Sequence, residues 1–154
     1  MRFHQIKEVV RWAADYHTSL ADAYVECATG KVDERVRMAL DYLAEHEARM
    51  QAELARYLSE SDEHRAVLDT WFDDPVDIPP APVREHLLGD LSSESVQSLF
   101  GTALAAHRTL QDLYAHRAEH AVSSAEREFF MALTSELESE IRRLCRDMQR
   151  LEDY

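Results

Sequence analysis

Four ionisable side chains occupy positions where apolar ones are expected. His17, Glu47 and His107 each interrupt a run of apolar residues spaced by threes and fours, and Glu140 stands at the edge of a fourth run, beside Ile141. An unpaired charge inside a core is strongly unfavourable, so each of these groups needs a partner or a metal. Two imidazoles and two carboxylates turned inward suit one divalent cation, and zinc, iron and manganese are all compatible with such donors. His17 and His107 then supply nitrogen, and Glu47 and Glu140 supply oxygen. The same four groups also make a metal-free polar core, in which each imidazole bonds a carboxylate and a buried water completes the set.

The elements that carry these residues read as four long helices. From Arg2 to Ala28 the apolar stripe runs Ile6, Val10, Ala13, His17, Leu20, Tyr24, Cys27, which is helical periodicity with one packed face. Gly30 is the expected stop, as a residue tolerant of left-handed backbone. A second helix is predicted over 33–59, with Val36, Leu40, Leu43, Glu47, Met50, Leu54 and Tyr57 on its inner face. The connection is short, so the two helices must be antiparallel neighbours. A third helix is expected from Ser92 or Ser93 to about His120, with seam Val96, Phe100, Ala103, His107, Leu110, Tyr114. Ser123 and Glu126 have capping-box spacing and open a fourth, with seam Phe130, Leu133, Leu137, Glu140 and Ile141, Leu144, Met148, Leu151.

Between the two pairs the pattern changes. Residues 61–72 read as a short helix with Val67, Leu68, Trp71 and Phe72 on its apolar side, and the following DDPVDIPPAP excludes helix through Pro79, Pro80 and Pro82. The segment 61–91 is too long for a tight turn and suits a crossover along the helices, pinned by Trp71 and Phe72. The expected organisation is one all-α domain over 1–154: a hairpin at 2–60, the crossover, and a second hairpin at 92–152.

The two hairpins are related to each other. A shift of ninety positions brings eleven identities into register without a gap, among them His17 on His107, Tyr24 on Tyr114 and Leu43 on Leu133. Average composition gives roughly three. The duplication implies a pseudo-twofold axis across a four-helix bundle. Glu47 then corresponds to Leu137 and Met50 to Glu140. One helical turn, about 4.5 Å, separates the members of each pair. Inverting height about the axis places Glu47 level with Glu140, and Met50 level with Leu137.

These residues resemble the ferritin-like superfamily, and within it the rubrerythrin-type duplicated hairpins. In that family the first and third helices carry a Glu with a Tyr seven residues on, and the second and fourth carry Glu-x-x-His. His17 with Tyr24, and His107 with Tyr114, fall at the Glu and Tyr positions. LAEHEARM keeps Glu47 and has Met50 where the family has His. LTSELESEIRRL has Leu137 and Glu140 in place of Glu and His. The resemblance covers nearly the whole chain. It implies the ferritin-like fold, a redox or stress-related role, and Tyr24, Tyr114 and Met50 as groups lining the metal pocket. A bridged two-metal centre needs several carboxylates, and the chain supplies few at those places.

Composition narrows the partners. Thirty acidic against seventeen basic residues give a formal net charge of −13, which repels nucleic-acid phosphates and anionic lipid. No apolar run reaches membrane-spanning length, and the opening MRFHQIKEVV lacks the pattern of a secretory signal, so a cytoplasmic protein is expected. A homodimer is the commonest assembly for such chains. Cys27 and Cys145 read as small buried or half-buried thiols. His116 and His120 share one helical face at metal-friendly spacing, but sit off the seam near a helix end and read as surface residues. The competing functional class is a non-catalytic interaction module that pairs through exposed apolar residues such as Val67, Trp71 and Phe72.

Overall fold

The computed structural model describes residues 2–59, 62–77 and 95–153. Among them are five helices and one two-stranded sheet: β1 (Arg2–Gln5), α1 (Ile6–Ala28), α2 (Glu34–Ser59), α3 (Asp62–Leu68), β2 (Trp71–Asp77), α4 (Val96–Glu119) and α5 (Ser124–Glu152). The chain is mainly helical, and no described helix is long and apolar enough to cross a membrane.

The most extensive packing joins α1 to α2 and α4 to α5. Side-chain bonds set the directions of the other pairs. Tyr42 donates to Asp147 at 2.5 Å, Arg49 to Glu140 at 3.3 Å and Tyr57 to Glu136 at 2.8 Å, so α2 and α5 run antiparallel. The Tyr42 ring lies 6.0 Å from Phe100 and the His46 ring 5.3 Å from His107, so α2 and α4 run parallel. Tyr16 ties α1 to α4 by donating to the Ala106 carbonyl at 2.8 Å, a bond spanning ninety positions. The apolar seams meet in one core, in which Ile6, Leu20, Tyr24, Leu43, Phe100, Phe130 and Leu144 are sealed from solvent.

Several boundaries differ from the sequence reading. The helix expected from Arg2 begins instead at Ile6, because 2–5 pair antiparallel with β2, Phe3 against Val76. Gln5 is a weak cap, and Glu8 compensates by accepting from the backbone N–H groups of His4 and Gln5 at 2.6 and 2.8 Å. Those two bonds hold the Glu8 carboxyl below its ordinary pKa.

Gly30 does not stop α1 by a left-handed turn, since no described glycine has positive φ. The end is closed by Thr29, whose hydroxyl donates to Glu26 O at 2.6 Å, and by the Gly30 N–H donating to Cys27 O at 3.2 Å. The cap of α4 is Ser95, whose oxygen accepts from the Ser98 N–H at 3.0 Å; Ser92 and Ser93 lie outside the described residues. Ser123 caps α5 as expected, its oxygen accepting from the Glu126 N–H at 3.1 Å.

The helix expected over 61–72 ends at Leu68, and Trp71 and Phe72 belong to a strand. Leu68 and Phe72 are buried and Arg117 covers the Phe72 ring at 4.9 Å, but Trp71 is 65% exposed. Trp71 therefore does not pin this segment. Phe72, Leu68 and a backbone bond from Ile6 N–H to Thr70 O at 3.1 Å do so instead. The remainder of the expected crossover, 78–91, lies outside the described residues. Cys27 and Cys145 are free and half-buried.

Candidate functional site

Three inward faces meet at mid-length of the long helices. His17 on α1, Glu47 on α2 and His107 on α4 are all at most 1% exposed. Glu47 lies between the imidazoles: its Oε2 is 2.6 Å from His17 Nδ1 and its Oε1 is 2.5 Å from His107 Nε2. A carboxylate only accepts, so each imidazole turns an N–H toward it, and charge-assisted bonds of this length are strong. Burial alone raises a carboxyl pKa. Here the charge and hydrogen bond of His107, with those of His17, outweigh burial and hold Glu47 well below its ordinary range, so it stays ionised.

The His17 and His107 rings are 6.2 Å apart. They sit at matching positions under the ninety-residue shift, and the residue that matches Glu47 is Leu137, apolar and 2% exposed.

Glu140 is not brought into the cluster. It is level with the triad, but its position on α5, next to the inward-facing Ile141, turns it toward the rim. There it meets Arg49 at 3.3 Å, Arg143 at 3.4 Å and His46 at 3.6 Å, with its side chain 15% exposed. The two arginines pair with this carboxylate at the rim.

His46 is the residue the sequence reading left out. It is 1% exposed and its ring packs edge-on to His107. Arg49, which can only donate, lies 3.1 Å from His46 Nδ1, so that nitrogen accepts and the proton sits on Nε2. Burial lowers the His46 pKa to about 4 and keeps the ring neutral. Its Nε2 and the Nδ1 of His107 have no hydrogen-bond partner among the described residues. The signal was present: Ala39, Leu43, His46 and Met50 repeat at four, three and four residues, so the buried face of α2 is wide enough to take both 46 and 47.

The residues expected around the pocket divide in the same way. Tyr24 and Tyr114 are buried, and their hydroxyls have no partner among the described residues. Burial drives both phenol pKa values upward, and the charge of Glu47 adds to this at Tyr24. Tyr114 and Met50 line a cavity of about 30 Å³ with His17, Leu137, Glu136 and Glu140. That space has room for a water molecule among polar partners, and is far smaller than a pocket for an organic substrate. A groove of about 650 Å³ between α4 and α5, lined by Ala115, Met131, Thr134 and Glu138, shares no residue with the triad.

The donor set fits one ion. Nitrogen or oxygen atoms of His17, Glu47 and His107 all lie within 4.8 Å of one another, and two imidazoles with one carboxylate are donors for zinc or non-haem iron. They stand at hydrogen-bond distance, so an ion enters by displacing the shared protons and spreading the donors. With a single carboxylate in the cluster, a bridged pair of ions does not fit. Compared with known proteins, the chain matches no family model, no curated protein and no solved structure.

Proposed function

We propose that this chain is a ferritin-like four-helix bundle, built from two duplicated hairpins, that binds one divalent transition ion through His17, Glu47 and His107. One observation carries the reading: two buried imidazoles converge on a single buried, ionised carboxylate. Support for the bundle comes from the antiparallel α2–α5 pairing, the parallel α2–α4 pairing and the contact between residues ninety positions apart.

When bound, such an ion supplies Lewis-acid chemistry or, if it is iron or manganese, redox chemistry. The residues of the chain contribute the rest. Glu47 contributes the negative charge, and His17 and His107 orient themselves on it before any ion arrives. His46 packs against His107 and limits its rotation. Tyr16, bonded to Ala106, holds the first and third long helices together at the same height. The two-metal centre of the ferritin-like family is not proposed here, because Leu137, Met50 and the outward Glu140 take away its donors.

A second reading has a specific observation in its favour. Both Glu47 oxygens are already bonded, so the triad is also complete as a metal-free polar core that specifies how the hairpins pair. Loading the purified protein with zinc, manganese and ferrous iron, and counting ions per chain, separates the two. The metal reading expects one ion per chain at the triad and a raised thermal midpoint, and His17→Ala and His107→Ala each lose that ion and its share of the midpoint shift. An ion count and a midpoint shift that both variants leave unchanged make the polar core the function of the triad.

A further inference from the structure

The C-terminal end of α4 carries a second set of metal-ligating side chains, on the opposite side of the burial divide. His116, Glu119 and His120 are all exposed, and their donor atoms lie within 4.8 Å of one another. The two imidazoles, one helical turn apart, have ring centroids separated by only 4.1 Å.

The proton on His120 is assigned by its partner. Its Nδ1 lies 2.9 Å from the carbonyl oxygen of His116, which also takes the His120 backbone N–H at 3.1 Å. A carbonyl only accepts, so Nδ1 carries the hydrogen and Nε2 carries the lone pair. This is the arrangement that orients metal-binding histidines generally, with one nitrogen held by an oxygen acceptor and the other left to the ion. The clamp also removes rotamer freedom before binding, which reduces the entropy lost when an ion arrives.

The surrounding charges favour a cation. The cluster lies at the negative end of the α4 dipole, where positive charge is stabilised. Arg117, the other cation of this last turn, is turned away onto Glu126 at 3.6 Å and over the Phe72 ring. Glu119 has no ion-pair partner among the described residues. The whole chain carries a formal charge of −13.

We propose that His116, Glu119 and His120 form a surface chelate for one divalent transition ion, separate from the buried triad and independent of it. Two imidazoles and a carboxylate select copper, nickel or zinc over magnesium and calcium, which demand more oxygen ligands. The affinity order expected is copper above nickel and zinc.

The test is calorimetric titration of the intact chain with each of these ions and with magnesium, repeated on His116→Ala, His120→Ala and His17→Ala. One zinc or nickel ion per chain is expected at the surface. Either surface variant weakens it by about one to two orders of magnitude, and His17→Ala leaves it unchanged. Substoichiometric nickel should broaden backbone amide resonances around 116–120 before those around 17, 47 and 107. These histidines are exposed, so unchanged far-ultraviolet circular dichroism verifies that the variants fold. The proposal is overturned if both surface variants bind as the parent does, if the broadening centres on the triad, or if binding disappears only in His17→Ala.

Discussion

Replacing Glu47 by leucine separates the two buried imidazoles from the carboxylate they share. The substitution copies what the second half of the chain already has, since Leu137 is the counterpart of Glu47. Two N–H donors, on His17 Nδ1 and His107 Nε2, lose bonds of 2.6 and 2.5 Å in residues at most 1% exposed. A buried donor left unpaired costs about 1–3 kcal/mol, so the pair costs about 2–6 kcal/mol. The apolar leucine returns part of this through packing, leaving a net loss of about 2–4 kcal/mol. A chain of this size loses about 2–4 °C in Tm per kcal/mol, so the midpoint should fall by roughly 5–15 °C in chelator-containing buffer. The informative control replaces all three residues, His17→Leu, Glu47→Leu and His107→Leu together. With no polar atom left to strand, the triple variant should lie above the single one, because removing a whole buried polar set is often neutral. Thermal melts of the parent and both variants read this directly. A single variant within about 2 °C of the parent, or a triple variant less stable than the single, refutes the view that the carboxylate is structurally required by its two partners.

Acid titration provides a second prediction. The His46 pKa falls from 6.5 unfolded to about 4 folded, so between those values the unfolded chain binds the extra proton. Stability should therefore decline as pH drops through that window, by roughly 3 kcal/mol in all, and His46→Leu should flatten this limb in urea melts. Glu47 acts lower on the scale. Its folded pKa lies below the unfolded 4.5, so its contribution is complete above that value and is lost as pH falls toward the folded pKa; Glu47→Gln should remove that acid limb while leaving the His46 limb in place. Tyr16→Phe removes the hydroxyl that reaches Ala106 and should cost about 1 kcal/mol, seen as a small drop in thermal midpoint.

The long helices were legible because their periodicity is strict and their apolar faces continuous. Ile6, Val10, Ala13, Leu20 and Tyr24 were expected inside from spacing alone, and all are buried. What the periodicity could not show was a competing partner distant in sequence. Residues 2–5 follow the helical pattern as well as those after them, yet a strand seventy positions away claims them through backbone bonds that leave no local trace. Trp71 illustrates the same limit from the other side. An aromatic residue suggests an anchor, but alternation along a strand places Phe72 inward and Trp71 outward, so the assignment depends on knowing that the segment is extended.

The site divides along a related line, between height and direction. Counting residues along the helices is enough to put Glu140 level with the triad, because rise per residue is nearly invariant. Whether a side chain at the seam's edge turns in or out depends on which neighbours offer it a partner. Arg49 and Arg143 offer Glu140 two cations at the rim, whereas the interior offers it a place near the already ionised Glu47. Two like charges so close in a low-dielectric core repel strongly, so the rim wins. The same reasoning bears on position 137, which matches Glu47 under the ninety-residue shift and lines a cavity with His17. His17 and His107, both bonded to Glu47, already approach each other to 6.2 Å. A second carboxylate at 137, in the same core as the ionised Glu47, would need an extra cation to offset it. Leu137 is thus the physical complement of Glu47, and Leu137→Glu should destabilise the metal-free chain more than Glu47→Leu does, with a thermal melt in chelator as the measurement.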